Sequence, residues 1–178
     1  MDDETRPWVI QVDGMSKNFR RAGGIRIGWS VAPEDLTSAM VNLQSHYTAE
    51  PSLPTQHAAL AALTHAYDPE LRQELEHERG LLYKEVKALP QVRVWPTSAT
   101  FYSFWDVRDV LGMRTPDGRV LHSSDDVAQC LVHAAGVVTA SGCGFMQDGY
   151  LRVSLATPDE HIVEGIRAAA EALRQLVG

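Results

Sequence analysis

The chain has 178 residues, 44% hydrophobic and 22% charged, with a formal net charge of -7. This is enough for one substantial core or two small ones, in an ordinary globular composition. The acidic balance without any Lys/Arg cluster argues against a nucleic-acid partner, and no apolar run approaches the roughly 20 residues of a membrane helix.

Met1-Asp2-Asp3-Glu4 is acidic where a secretory signal would be basic and then apolar. Cys130 and Cys143 are far apart and have no CxxC partner, so neither a disulfide framework nor a zinc site is indicated, and a cytoplasmic protein with reduced thiols is expected. The histidines form no HExxH or other tight pair, and no metal site is expected.

The apolar runs over residues 8–12 and 25–31 predict two short buried strands flanking a small-residue loop. Pro33-Glu34-Asp35 starts a helix over about 33–45, with Leu36, Met40 and Leu43 on one face. Pro51 and Pro54 end it, and Thr55 is the expected cap of the next helix, 56–65. Asp68-Pro69-Glu70 opens the longest helix, about 69–89, with Leu71, Leu75, Leu82 and Val86 at helical spacing. Its charged face is assigned Arg72, Glu76, Glu78 and Arg79. Strands at 93–95 and 100–105 follow, then a Pro-Asp-Gly turn within 114–119. Ser123-Ser124-Asp125-Asp126 caps a helix ending near Gly136, and strands at 137–140 and 150–155 precede a final helix over about 158–177. The alternation of strands and helices makes the fold class α/β or α+β.

Within this frame Lys17 is the most informative residue. A strand-like run, Trp8 to Val12, leads into Asp13-Gly14-Met15-Ser16-Lys17-Asn18-Phe19, and Arg26-Ile27-Gly28-Trp29 follows. An amine at a strand end can be desolvated, which lowers its pKa and makes it a nucleophile towards a carbonyl. Lys84 and Lys87 lie instead on a charged helix face, where a solvated role is the default. Three further segments come in fixed order: Pro96-Thr97-Ser98-Ala99-Thr100-Phe101-Tyr102, Gly136-Val137-Val138-Thr139-Ala140-Ser141-Gly142, and Gly149-Tyr150-Leu151-Arg152-Val153-Ser154-Leu155-Ala156.

Together these blocks resemble the C-terminal half of a fold-type I, pyridoxal-phosphate (PLP) dependent aminotransferase of class I/II, in the aspartate aminotransferase superfamily. The resemblance runs over essentially the whole chain. It implies an α/β fold in which residues 1–66 form the C-terminal part of a large PLP-binding domain, 67–89 a connecting helix, and 90–178 a small α+β domain. Lys17 matches the lysine that carries the cofactor and later moves the substrate's α-proton, Arg26 the arginine that binds the cofactor phosphate, and Ser16 a hydroxyl donor beside it.

Arg152 matches the arginine that grips the substrate's α-carboxylate; by strand alternation it shares a face with Ser154, opposite Leu151, Val153 and Leu155. On periodicity alone an arginine in such a strand reads as half of a structural ion pair, and the motif favours the substrate role. The interval from Lys17 to Arg26 is one residue longer than the family pattern, with the extra residue placed in 20–24, so Arg20 or Arg21 is the alternative phosphate ligand. Ser141-Gly142, Phe145-Met146 and Ala99 stand where the family has Pro-Gly, Phe-Gly and Gly. Asp13 lies four residues before the lysine, away from the family's acid for the pyridine nitrogen, and is not assigned that role.

The activity implied is exchange of an amino group between an amino acid and a 2-oxo acid. The resemblance leaves out the family's N-terminal half, so a split or truncated enzyme is expected, acting as a homodimer or with a complementary N-terminal half chain. The alternative is a catalytically incompetent fragment that serves as an interaction or dimerisation module.

Overall fold

The computed structural model describes residues 5–18, 23–64 and 69–178, with the side chains of Arg6 and Asn18 excepted, and it divides the chain into two units, Met1–Asp68 and Pro69–Gly178. In the first unit, β1 (Gln11–Gly14) pairs antiparallel with β2 (Gly28–Val31), in the register Gln11↔Val31 to Gly14↔Gly28. A single helical turn, α1 (Met15–Asn18), leaves the end of β1. The glycine pair has a steric cause: a Cβ on Gly14 would lie 3.1 Å from the Ile27 carbonyl oxygen, and one on Gly28 3.0 Å from that of Asp13. The helices α2 (Glu34–Tyr47) and α3 (Leu53–Thr64) complete the unit.

The start of α3 differs from the sequence expectation. Ser52, not Thr55, stands at its head: the Ser52 carbonyl accepts from the Gln56 amide at 3.0 Å, and its hydroxyl lies 2.8 Å from Thr55 Oγ1. Pro54 is accommodated in the first turn, where the missing N–H has no intrahelical partner to lose.

The strands predicted to be buried are exposed. Trp8, in a 3-10 turn and not in the strand, is 87% exposed, and Val12 is 76% exposed. Among the described residues the unit's buried core is Met15 and Ala59, with Ile25, Ile27, Trp29 and Ala62 packed around them. A two-stranded ladder with so small a core cannot cover both of its faces. The face of α2 that carries Leu36 and Leu43 is exposed as well.

The second unit opens with α4 (Pro69–Glu85), which ends in a 3-10 turn at Val86–Ala88. Its sheet has the order β3 (Arg93–Val94), β4 (Tyr102–Asp106), β6 (Tyr150–Ser154), β5 (Ala140–Ser141), with every pair antiparallel. The helices α5 (Ser124–Ala135) and α6 (Asp159–Arg174) pack with α4 around one core that includes Leu82, Trp105, Leu121, Val127, Leu131, Leu151, Ile162, Ile166 and Leu173. Capping of α5 follows the sequence signals. Ser123 Oγ accepts from the Asp126 amide at 3.3 Å, and Gly136 closes the helix at φ 66°.

Three local expectations for this unit are corrected. Glu78, assigned to the charged face of α4, is buried, because it falls between Leu75 and Leu82 on the stripe that faces α6. The predicted strand 137–140 enters the ladder only at Ala140, beside Arg152. The last helix ends at Arg174, and Val177 then forms a bridge with Arg114, with N···O distances of 2.8 and 2.9 Å.

Candidate active site

In the first unit the site grows from Met15. Its side chain is fully buried and its amide donates to the Ile27 carbonyl at 3.1 Å, so α1 is pinned at its first residue to the chain entering β2. Ser16 is half-buried and Lys17 is exposed. Lys17 sits on a helical turn after the strand rather than at the strand end, and the described residues of its unit leave it exposed.

Arg26, at φ 50°, turns back over this turn. Its Nη1 donates to the Gly23 carbonyl at 2.9 Å and to Ser16 Oγ at 3.2 Å. Among the described residues its Nε and Nη2 make no hydrogen bond. A guanidinium anchored through one nitrogen, beside the hydroxyl of the residue that precedes Lys17, suits a dianionic phosphate. These residues thus fit the phosphate end and the lysine attachment of PLP. The extra residue in the loop leaves Arg26 in contact with Ser16; Arg20 and Arg21, the alternative ligands, lie outside the described residues. Asp13 accepts from the Gly14 amide at 2.7 Å, a local turn contact.

Arg152 belongs to the second unit, on β6 opposite Phe104 of β4 and Ala140 of β5. The expected alternation holds: Leu151 and Leu155 are buried, while Arg152 is half-buried and Ser154 exposed on the other face. A structural ion pair, the reading favoured by periodicity, is not what surrounds Arg152, which has no carboxylate partner among the described residues. Its guanidinium carbon lies instead 4.5 Å from the Tyr102 ring centre and 4.7 Å from that of Phe145. The same face carries Phe104 stacked on Tyr150 at 4.9 Å, with Arg108 over Tyr150 at 5.3 Å.

Sequence reasoning missed the parts of Tyr102, Phe145 and Asp148. Tyr102 stands diagonal to Arg152 in the β4–β6 register, a relation hidden until the pairing is known. Asp148 ties the 142–149 turn to the start of α5: its Oδ1 accepts from the Ser124 amide at 2.8 Å, Ser124 Oγ at 2.7 Å and the Gly149 amide at 2.7 Å, with Cys143 Sγ at 3.3 Å. No group of His, Cys, Asp and Glu suited to a metal ion exists among the described residues.

The first unit thus carries a lysine turn with an arginine–serine contact, and the second an α+β arrangement with a strand arginine that has no carboxylate partner among the described residues; both units together give an α/β protein. The family profile described as aminotransferase class I and II matches residues 1–171, and the chain belongs to that family. It is 30% identical to aspartate aminotransferases of Streptomyces avermitilis, over 88% of this chain and 38% of the relative, and of Rhizobium meliloti, over 94% and 41%. The crystal structure of the Rhizobium meliloti aspartate aminotransferase superposes with a TM-score of 0.86 at 27% identity, covering 99% of this chain and 44% of that one. An aromatic aminotransferase from Pyrococcus horikoshii superposes with a TM-score of 0.79 at 26% identity, covering 98% and 45%. The chain thus spans about two fifths of the length of the proteins it matches.

Proposed function

We infer that the chain carries the lysine- and arginine-bearing part of a PLP-dependent amino-acid aminotransferase, which exchanges an amino group between an amino acid and a 2-oxo acid. The observation that carries this reading is Arg26 held at 3.2 Å on Oγ of Ser16, the residue that precedes Lys17, in a chain of the aminotransferase family. PLP, when bound, supplies an electron-withdrawing ring that acidifies the substrate's α-carbon. Ser16 and the open fork of Arg26 hold the phosphate. Lys17 would hold the cofactor through Nζ, and its free amine would accept and return the substrate's α-proton there. Arg152 orients the substrate by a two-point contact with its α-carboxylate.

The relatives are more than twice the length of this chain, and the first unit exposes Trp8, Val12, Leu43, Tyr47 and Leu60. Both facts support an assembly in which a complementary large-domain half, or a second copy, covers that apolar surface. The setting is the cytoplasm.

The sequence holds three lysines, Lys17, Lys84 and Lys87, which makes a direct test simple. Borohydride trapping at saturating PLP, followed by peptide mass spectrometry, is expected to place the cofactor on Lys17. Equal labelling of all three lysines removes Lys17 from the role.

A further inference from the structure

An arginine that must receive a carboxylate faces a conflict. Left unsupported, its long side chain spends rotamer entropy on every binding event. Held by a carboxylate of the protein, its charge and its N–H groups are already engaged. Arg152 is in neither condition. Its guanidinium carbon lies over two aromatic rings, 4.5 Å from the centre of Tyr102 and 4.7 Å from that of Phe145, and it makes no hydrogen bond or ion pair among the described residues. Attraction to ring faces orients a guanidinium without engaging its N–H donors.

The two rings come from rigid and separate supports. Tyr102 is on β4, where Tyr102↔Ser154 and Phe104↔Arg152 are opposite pairs, so the phenol ring reaches Arg152 along the diagonal. Phe145 ends the 3-10 turn Gly142–Phe145, which is fastened at both sides. Ser141 Oγ accepts from the Cys143 amide at 3.2 Å, the Gln147 amide donates to the Gly142 carbonyl at 2.9 Å, and Asp148 binds the turn to α5. Phe145 itself is 46% exposed, so burial alone does not explain this much scaffolding around it.

We propose that Tyr102 and Phe145 form an aromatic clamp that pre-orients Arg152 for a carboxylate, with Phe145 as a positioning residue for substrate binding. The inference rests on the assignment of Arg152 to the substrate carboxylate. The clamp keeps the guanidinium plane fixed and its donors free, and it leaves the charge of Arg152 uncompensated until a carboxylate arrives. It acts equally on amino acids and 2-oxo acids, since both present the same carboxylate.

The test uses the full 178-residue chain, labelled with 15N, and follows the Arg152 Nε–H signal, identified through Arg152→Lys, during titration with 2-oxoglutarate. In the wild-type chain the free Arg152 signal is expected to show the upfield shift of a donor above ring faces and to move saturably with the acid. Phe145→Ala is expected to abolish part of that shift and weaken binding about two- to fivefold, the scale of one exposed cation–π contact. Phe145→Tyr restores both, and Tyr102→Leu, on the opposite ring, weakens binding in the same range. If the wild-type signal ignores the acid, the carboxylate role of Arg152 fails and the clamp's function fails with it. If the signal responds and Phe145→Ala and Tyr102→Leu both bind as wild type does, the carboxylate role stands and the clamp is overturned.

Discussion

Replacing Asp148 by Ala should loosen the turn that carries Phe145, and the size of the effect follows from the contacts of one oxygen. Asp148 Oδ1 accepts from the amide and hydroxyl of Ser124, the Cys143 thiol and the Gly149 amide. These donors, the Ser124 amide foremost, hold the carboxyl well below the usual carboxylate range. A charge-assisted hydrogen bond in a protected place contributes about 1.5–3 kcal/mol. Asp148 stands in solvent, and screening reduces the whole set to about 1–2 kcal/mol, helped by the charge lying at the start of α5. For a domain of this size that is a fall in Tm of about 4–10 °C.

Because the folded pKa lies below the unfolded one of about 3.9, the contribution is complete above that value and fades as pH falls towards the folded pKa. Urea titrations followed by near-UV circular dichroism, which reports the buried Trp105, should therefore show wild type and Asp148→Ala well separated at pH 7 and converging below about pH 4. Asp148→Asn, which keeps an acceptor and loses the charge, should fall between them. A variant that unfolds with wild type at pH 7, or a gap that widens in acid, would show that the Asp148 carboxylate does not hold the turn.

Other outcomes follow from the same geometry. Gly142→Ala should cost at least about 2 kcal/mol and enlarge the exposure of Phe145 in hydrogen-exchange and quenching measurements, since a Cβ there would lie 2.0 Å from the Gln147 carbonyl oxygen. Met15→Ala, at the buried anchor of the Lys17 turn, should cost about 2 kcal/mol and speed amide exchange over residues 11–31, while exchange over 101–178 stays at the wild-type rate. In the 178-residue chain by itself, residues 23–64 should exchange faster than 69–178, since the first unit has two buried core residues among those described and much exposed apolar surface; equal protection of both would count against this. PLP should bind this chain weakly, through Ser16, Lys17 and Arg26 only, and absorbance titration with Lys17→Ala as control checks it; tight binding that survives the substitution would show another site.

Much of the architecture was legible in local chemistry. The helix over Ser124–Ala135 is written in Ser123, Asp126 and Gly136, because capping is decided within one turn of the chain. The glycines around the lysine turn and the alternation of Leu151, Arg152 and Val153 are local in the same sense. Where sequence reading went astray, the deciding contact was distant. Val12 resembles a buried strand residue, yet whether it is covered depends on what packs on the ladder. Glu78 is the exception, a local miss: it stands three residues after Leu75 and four before Leu82, on the helical stripe that packs against α6.

The candidate site divides along the same line. Ser16, Lys17 and Arg26 in the first unit and Arg152 in the second are singled out by chemical type and order alone, and the contact of Arg26 with Ser16 bridges only ten residues. What surrounds Arg152 could not be chosen that way. Tyr102 and Phe145 reach it from two separate elements through the β4–β6 register and a turn fastened by Asp148, and the choice between ion pair and aromatic clamp is a matter of which side chains those elements bring within 5 Å. Residue type sets what a group can do, and long-range packing sets which partners it meets.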